Sequence, residues 1–207
     1  MRHDIHQLTS LLKEKNFQPT NFIEIGSRDG HDTNYIKHFW NLNPKECYII
    51  EAHPTCYLNI LHQYPDFHIF NIAASDKTGV VEFNAGVFGR EENVGVSSLL
   101  DRTLNPFISE KVEIDAWRMD EIMLHLNVDH FDLIKIDVEG FALQVLKGFG
   151  EKLNNIKTLQ IELEIKQVWE GQSYYDDVVN YLKEFGFIIL DEVTLDEYQK
   201  DVLFYKP

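Results

Sequence analysis

The sequence predicts an α/β fold, a three-layer sandwich in which helices cover both faces of a seven-stranded, mostly parallel sheet with an antiparallel last strand. Three observations predict it. Short apolar runs alternate with helical periodicity along most of the 207 residues, the pattern of a parallel sheet. The first apolar run ends in a turn that holds Gly26 and Gly30, ahead of a helical stretch. The chain closes on helix, strand, hairpin and strand instead of another crossover.

Ile5, Leu8, Leu11 and Leu12 recur at helical spacing, so residues 1–20 open with an amphipathic helix expected to pack against the sheet edge. Phe22 to Ile25 is the first strand, and residues 31–40 form a helix through Tyr35, Ile36 and Phe39. Residues 47–50 are a second buried strand, residues 54–62 a helix that starts on Pro54, and residues 67–72 a third strand. After a tight turn at residues 76–79, residues 80–83 extend. Residues 84–110 have weak periodicity and read as an ordered loop over the site. Further strands are expected at 112–114, 132–137 and 158–163, with helices at 119–126 and from Gly140 to Gly148. A last helix at 178–185 precedes a strand pair, 187–190 and 202–205, joined through the acidic residues 191–201.

A mass of 24.3 kDa suits one domain over residues 1–207; a domain excised from a larger polypeptide has the same appearance. The net charge of −15 argues against a nucleic-acid partner, whose phosphates need Lys and Arg, and against anionic membranes. Cys47 and Cys56 lack the paired spacing of zinc sites and read as core thiols of a reducing compartment, here the cytoplasm. The start of the chain, Met1-Arg2-His3-Asp4-Ile5-His6, carries no long apolar run, and no stretch approaches the roughly 20 apolar residues of a membrane span.

In such sheets a ligand binds at the carboxyl ends of the strands, where strand order reverses. There, Glu24-Ile25-Gly26-Ser27-Arg28-Asp29-Gly30 offers a sharp turn at Gly26 and a close helix start at Gly30. Glu24 is placed to attract an ammonium group. Glu51 closes the second strand, near the roughly 20-residue spacing at which dinucleotide folds place the acid that meets a ribose. Small residues after the third strand, Ala73, Ala74 and Ser75, leave room for a nucleobase, with Asp76 or a backbone group for its amino group.

Asp132 to Gly140 is the most informative segment. Lys135 on a buried strand needs a carboxylate partner. Asp137 and Glu139 emerge at the carboxyl edge, and Glu162 ends the neighbouring strand, so up to three acids converge. They suit either a general base with a raised pKa or a hard divalent cation such as magnesium on Asp137 and Glu162. A helix N-terminal role accounts for Glu139 equally well. His31 and His53, near the cradle, are alternative bases.

With these residues in view, the chain resembles the FkbM family of S-adenosylmethionine-dependent O-methyltransferases, with a Rossmann-like class I methyltransferase fold. The resemblance runs from about Phe22 to Leu163. Its carriers are Phe22 to Gly30, Ile50-Glu51-Ala52-His53-Pro54, Asn71 to Asp76, Gly95-Val96-Ser97-Ser98-Leu99, and above all Ile134-Lys135-Ile136-Asp137-Val138-Glu139-Gly140. It implies that Glu24, Gly26, Ser27, Arg28, Gly30, Glu51, Ala52, Ala74 and Ser75 bind S-adenosylmethionine, and that Asp137, Glu139 and Glu162 are catalytic. It also implies transfer to a hydroxyl, often of a sugar or glycan. Trp169, Tyr174, Tyr175, Phe88 and Phe107 are candidates to face sugar rings. The chain departs from the family pattern at Glu24, Ser27 and Arg28, where an aspartate, an alanine and an asparagine are usual, and at Ala142, where a glutamate is common.

Two alternatives stand beside this reading. An NAD-dependent oxidoreductase or epimerase shares the sheet and the acid on the second strand, but its three-glycine turn and its tyrosine followed four residues later by lysine are both missing. A methyltransferase-like module that binds without turnover is the other.

Overall fold

Alternation along the central strands sorts their side chains onto two faces, and helices cover each. The computed structural model describes residues 4–87, 94–105 and 108–207. In chain order the first half gives α1 (Asp4–Glu14), β1 (Phe22–Ile25), α2 (His31–Trp40), β2 (Cys47–Ile50), α3 (Pro54–Gln63) and β3 (His68–Phe70). Then come β4 (Ala73–Ser75), β5 (Gly79–Gly86), β6 (Ser109–Arg118), α4 (Met119–His125), β7 (Leu133–Ile136) and α5 (Ala142–Phe149). The chain ends with β8 (Thr158–Glu164), α6 (Tyr175–Glu184), β9 (Ile188–Thr194) and β10 (Gln199–Tyr205).

Seven strands form the main sheet in the order β3-β2-β1-β7-β8-β10-β9, and strand order reverses between β1 and β7. The β1 and β2, β1 and β7, β2 and β3, and β7 and β8 pairs are parallel, whereas β10 runs antiparallel to both neighbours. Ile23, Ile25, Ile50, Ile134 and Ile136 point to the core that includes α5 residues Val145, Leu146 and Phe149. Phe22, Cys47, Ile49 and Leu133 point to the opposite core, with Ile36 and Trp40 of α2.

Five expectations are revised. The third strand is shorter than residues 67–72, because Asn71 donates its side-chain amide to the carbonyls of Glu51 (2.8 Å) and Ala52 (3.1 Å). The chain then leaves the main sheet for a second, three-stranded one, β4-β6-β5. Part of the segment read as a loop is strand, since β5 continues to Gly86 opposite Ser109. Gly148 does not end α5; it lies inside the helix, where a Cβ would strike the backbone carbonyl of Ser75, so it lets α5 press against β4. Helix α1 packs on a sheet face instead of an edge, because Ile5, Leu8 and Leu12 join the core containing Phe22 and Leu203. The closing hairpin is also tighter than expected, with β9 and β10 taking in most of residues 191–201.

Candidate active site

The carboxyl ends of β1, β2 and β7 open onto a cavity of about 520 Å³, within the roughly 300–1,000 Å³ of small-molecule sites. Gly26 and Glu51 border it at one end, and Asp137, Glu139 and Glu162 at the other. Val94, Gly95, Ser97, Ser98 and Leu99 also line it.

Gly26 holds the strand ends together. Its amide donates to Ile50 O at 2.9 Å, the amide of Asp137 donates to Ile25 O at 2.9 Å, and Gly26 has φ +80°. A Cβ there would collide with the carbonyl of Asp137. Any side chain would therefore push β1 from β7.

Glu51 is buried, and three backbone amides converge on it. Oε2 accepts from Ser27 (3.0 Å) and Arg28 (2.6 Å), while Oε1 accepts from His53 (2.7 Å). Burial pushes its pKa up, and the amides of Arg28 and His53 pull it back. A carboxylate offers about four lone-pair sites, so a ligand hydroxyl would meet an acceptor already fixed in place. Arg28, at φ +62°, holds the left-handed conformation that costs roughly 1–2 kcal/mol, and its guanidinium lies over Gly95.

Glu24 does not border the cavity. On β1 it alternates away from Ile23 and Ile25 and pairs in register with Lys135. Oε2 accepts from Ser27 Oγ (2.8 Å), Thr33 N (3.1 Å) and Thr33 Oγ1 (2.6 Å), and Oε1 from Lys135 Nζ (3.3 Å). Burial pushes its pKa up to about 7 against the pull of Lys135. The position expected to meet an ammonium group is thus a brace behind the turn, and the ammonium it meets is that of Lys135. Lys135 also reaches Asp32 (2.8 Å) and Asp137 (3.2 Å). Burial lowers its pKa, but Asp137, Glu24 and Asp32 raise it well above the usual value.

At the far end, one carboxylate oxygen from each of Asp137, Glu139 and Glu162 lies within 4.8 Å of the others. Burial, then the charge of Asp137, pushes both Glu139 and Glu162 well above the usual carboxylate range. Glu139 takes φ +50° and Gly140 φ +87°. The strained turn is held from outside: Ser98 Oγ donates to Glu139 O (2.7 Å), and the Ser173 amide donates to Gly140 O (3.2 Å). Beneath Gly140 lies Trp169, whose ring a Cβ would approach to 2.7 Å. Strain of this kind persists where the surroundings over-determine it.

Of the other residues named from sequence, Ser27, Arg28, Ala52 and Ala74 border the cavity. Gly30 does not; it caps α2 at φ +74°, and a Cβ there would meet the Tyr64 ring at 2.8 Å. Nor does Ser75, whose hydroxyl turns to Asp76 (3.3 Å). Neither histidine borders the cavity. His53 commits Nε2 to Gly86 O (2.8 Å) and Nδ1 to the amides of Thr55 and Cys56, capping α3, and His31 is exposed beside Asp29.

Trp169 is fully buried under Arg102, and Tyr174 and Tyr175 lie outside the cavity, so none of them faces a ligand ring there. Phe88 and Phe107 lie outside the described residues. Sequence reasoning passed over Phe83, Phe141 and Val193 to Leu195, which do line the cavity. Phe141 was legible from its place directly after Gly140; the β9 residues depend on the hairpin and carried no local signal.

A parallel sheet reversing between β1 and β7, with a glycine turn and an acid at the carboxyl ends, is shared by nucleotide-binding α/β folds, and the antiparallel β10 beside β8 is the strand order expected of class I methyltransferases. The model of the methyltransferase FkbM domain matches residues 24–189, and the chain belongs to that family. This displaces the NAD-dependent alternative. A curated relative, the 2-O-methyltransferase NoeI of Sinorhizobium fredii (strain NBRC 101917 / NGR234), is 24% identical over 196 residues, covering 88% of this chain and 77% of NoeI.

Among solved structures, methyltransferase FkbM from Methylobacillus flagellatus KT superposes with a TM-score of 0.57 at 15% identity. The match covers 90% of this chain but 43% of the other, so this chain spans less than half of that protein. Magnesium protoporphyrin IX methyltransferase from Synechocystis PCC 6803, solved with bound S-adenosylmethionine, gives a TM-score of 0.57 at 9% identity, over 100% of this chain and 79% of the other. Both likenesses are of fold. Among the described residues, no helix is long and apolar enough to cross a membrane.

Proposed function

We propose that the chain transfers the methyl group of S-adenosylmethionine to a hydroxyl of a sugar or glycan. The observation that carries this reading is one continuous cavity with Glu51, held by three backbone amides, at one end and the Asp137, Glu139 and Glu162 cluster at the other. The family match and the 2-O-methyltransferase relative support the chemistry and the hydroxyl acceptor.

Glu51 takes the ribose hydroxyls, Ala73 and Ala74 with Phe83 enclose the adenine, and the Gly26-Ser27-Arg28 turn holds the methionine portion, Arg28 supplying a positive charge for its carboxylate. The cradle fits such a ligand, because Gly26, Ser27, Arg28 and Glu51 line one end of a cavity of about 520 Å³. Bound S-adenosylmethionine supplies a sulfonium methyl that the acceptor oxygen attacks, forming a C–O bond as the C–S bond breaks. The chain's own work is to hold the hydroxyl in line, worth up to roughly 7–11 kcal/mol, and to take its proton onto the carboxylate cluster, worth roughly 10² to 10⁴ in rate. The three acids interact, so the cluster titrates as a unit. A net charge of −15 disfavours polyanionic acceptors such as nucleic acids. A cytoplasmic location is part of the proposal, supported by the buried free thiols of Cys47 and Cys56.

The test is methyl transfer from labelled S-adenosylmethionine to a panel of mono- and oligosaccharides, read by mass spectrometry, with calorimetry of S-adenosylmethionine, S-adenosylhomocysteine and NAD alongside. A gain of one methyl on a sugar oxygen is expected. Binding of the sulfur cofactors with no transfer to any hydroxyl would leave a binding module, and binding of NAD alone would overturn the cofactor assignment.

A further inference from the structure

Among the described residues, His53 is the one buried histidine, and the transfer reaction gives it no task. Both ring nitrogens are nevertheless committed. Nδ1 accepts the amides of Thr55 (3.2 Å) and Cys56 (3.4 Å), so the ring proton sits on Nε2 and is donated to Gly86 O at 2.8 Å. The backbone amide of the same residue donates to Glu51 Oε1 at 2.7 Å. A serine, aspartate or asparagine would cap α3 as well. The imidazole does more than cap, because it carries a donor on its far side.

That donor reaches a wall of the cavity. Gly86 ends β5, and its amide donates to Ser97 Oγ at 2.9 Å. Two residues earlier, Asn84 pairs with Ser98 in both directions, Asn84 N to Ser98 O at 2.9 Å and Ser98 N to Asn84 O at 3.3 Å. Ser97 and Ser98 both line the cavity. Ser98 Oγ then donates to Glu139 O at 2.7 Å, and Glu139 is the residue held at φ +50° within the carboxylate cluster. Hydrogen bonds joined by short covalent steps therefore run from Glu51 through the His53 ring, Gly86, Ser97 and Ser98 to the Glu139 turn.

We propose that His53 is a positioning residue that couples the two ends of the cavity. A cofactor ribose seated on Glu51 firms the wall formed by the end of β5 and residues 94–99 through the His53 ring, and with it the Glu139 turn. Coupling of this kind travels along hydrogen-bond networks that bias an element with two arrangements. The left-handed turn at Glu139, kept only while its surroundings hold it, is that element. The acceptor end is then set once the cofactor end is filled, so cofactor binds first. The inference rests on the methyl-transfer reading of this cavity and adds an order of binding to it.

The test reads hydrogen exchange by mass spectrometry in the full chain, as wild type, His53→Asn, His53→Gln and Ser98→Ala, with and without S-adenosylhomocysteine. Asparagine keeps an oxygen to cap α3 but stops short of Gly86, whereas glutamine carries an amide N–H out to the Nε2 position and forgoes the cap. In the wild type, S-adenosylhomocysteine should slow exchange of residues 94–100 and 137–142 by roughly fivefold or more, the equilibrium weight of one hydrogen bond. His53→Asn should bind the ligand yet lose the slowing in both segments, His53→Gln should restore it, and Ser98→Ala should lose it at 137–142 alone. Wild-type slowing in His53→Asn, or a loss in His53→Gln as complete as in His53→Asn, overturns the coupling. If the wild type does not bind S-adenosylhomocysteine, the cofactor reading fails instead, and the ligand-free proteins still decide the tether: residues 94–100 should exchange faster in His53→Asn, and equal rates overturn it. Should His53→Asn fail to fold, Ser98→Ala decides, since an unchanged response at 137–142 overturns the proposal.

Discussion

Acidic side chains crowd both ends of the cavity, but they keep different company. At the β1 and β2 end, Glu24 receives two hydroxyls, an amide and an ammonium, and Glu51 receives three amides. At the β7 and β8 end, the described hydrogen bonds to Glu162 come from Gln199, and Glu164 completes none. Carboxylates supplied with donors fix the turn: Glu24 braces it from behind, and Glu51, with three donors on about four lone-pair sites, also borders the cavity. Carboxylates starved of donors have lone pairs to offer to something else. Residue type does not separate the two kinds; the donors that the fold brings to each do.

The largest expected effect tests the starved end. Glu162→Gln should lower the rate of methyl transfer by roughly 10² to 10⁴ with the fold unchanged by circular dichroism, since a neutral amide replaces a repelled charge. A rate within threefold of wild type would remove Glu162 from proton transfer. Next, Lys135→Met leaves Glu24, Asp32 and Asp137 around a vanished ammonium, and breaking a buried ion pair costs roughly 3–5 kcal/mol. Urea unfolding should register a loss of that order; a loss below about 1 kcal/mol would mean that the three acids are already neutral.

A smaller effect is expected from Gly26→Ala. Left-handed backbone disfavours alanine by roughly 1–2 kcal/mol, and the contact with the Asp137 carbonyl adds to this. Cofactor affinity measured by calorimetry should fall at least tenfold, and an unchanged affinity would show that the cradle floor tolerates a methyl group.

The smallest is a slope with pH. Glu24 is raised from the usual carboxylate range to about 7, so on raising the pH the unfolded chain releases this proton first. Stability from this residue is therefore full below about pH 4.5 and declines up to about pH 7. Glu24→Gln should flatten that part of the stability profile, and an identical slope in the variant would sink the assignment.

The pieces legible in the sequence were local ones. A strand ending on Gly26, an acid ending the next strand, and the Asp137 to Gly140 run each show their chemistry within a few residues, and the structure sets most of them around one cavity. What stayed hidden depends on pairing between distant strands. Glu24 stays out of the cavity because Ser27, Thr33 and Lys135, brought to it by the turn, α2 and the β7 register, take up its carboxylate. Glu164 and Asp201 join the cluster through the β8 and β10 ladder, which only the antiparallel register reveals. Trp169 looked available for a sugar ring, yet the missing side chain of Gly140 draws it into the core. The ends of β5 and β6 were read as loop, because Asn84, Ala85 and Gly86 are buried without alternation and pair with residues 109–111 far along the chain.

The division between supplied and starved carboxylates is tested most directly by titrating S-adenosylmethionine into the wild type, Glu51→Ala and Glu162→Gln by calorimetry. Glu51→Ala should lose at least tenfold in affinity, because the acid that fixes the Ser27 and Arg28 amides and faces the ribose is gone, while Glu162→Gln binds within about threefold of wild type. The reverse pattern, with affinity kept without Glu51 and lost without the Glu162 charge, would contradict the account.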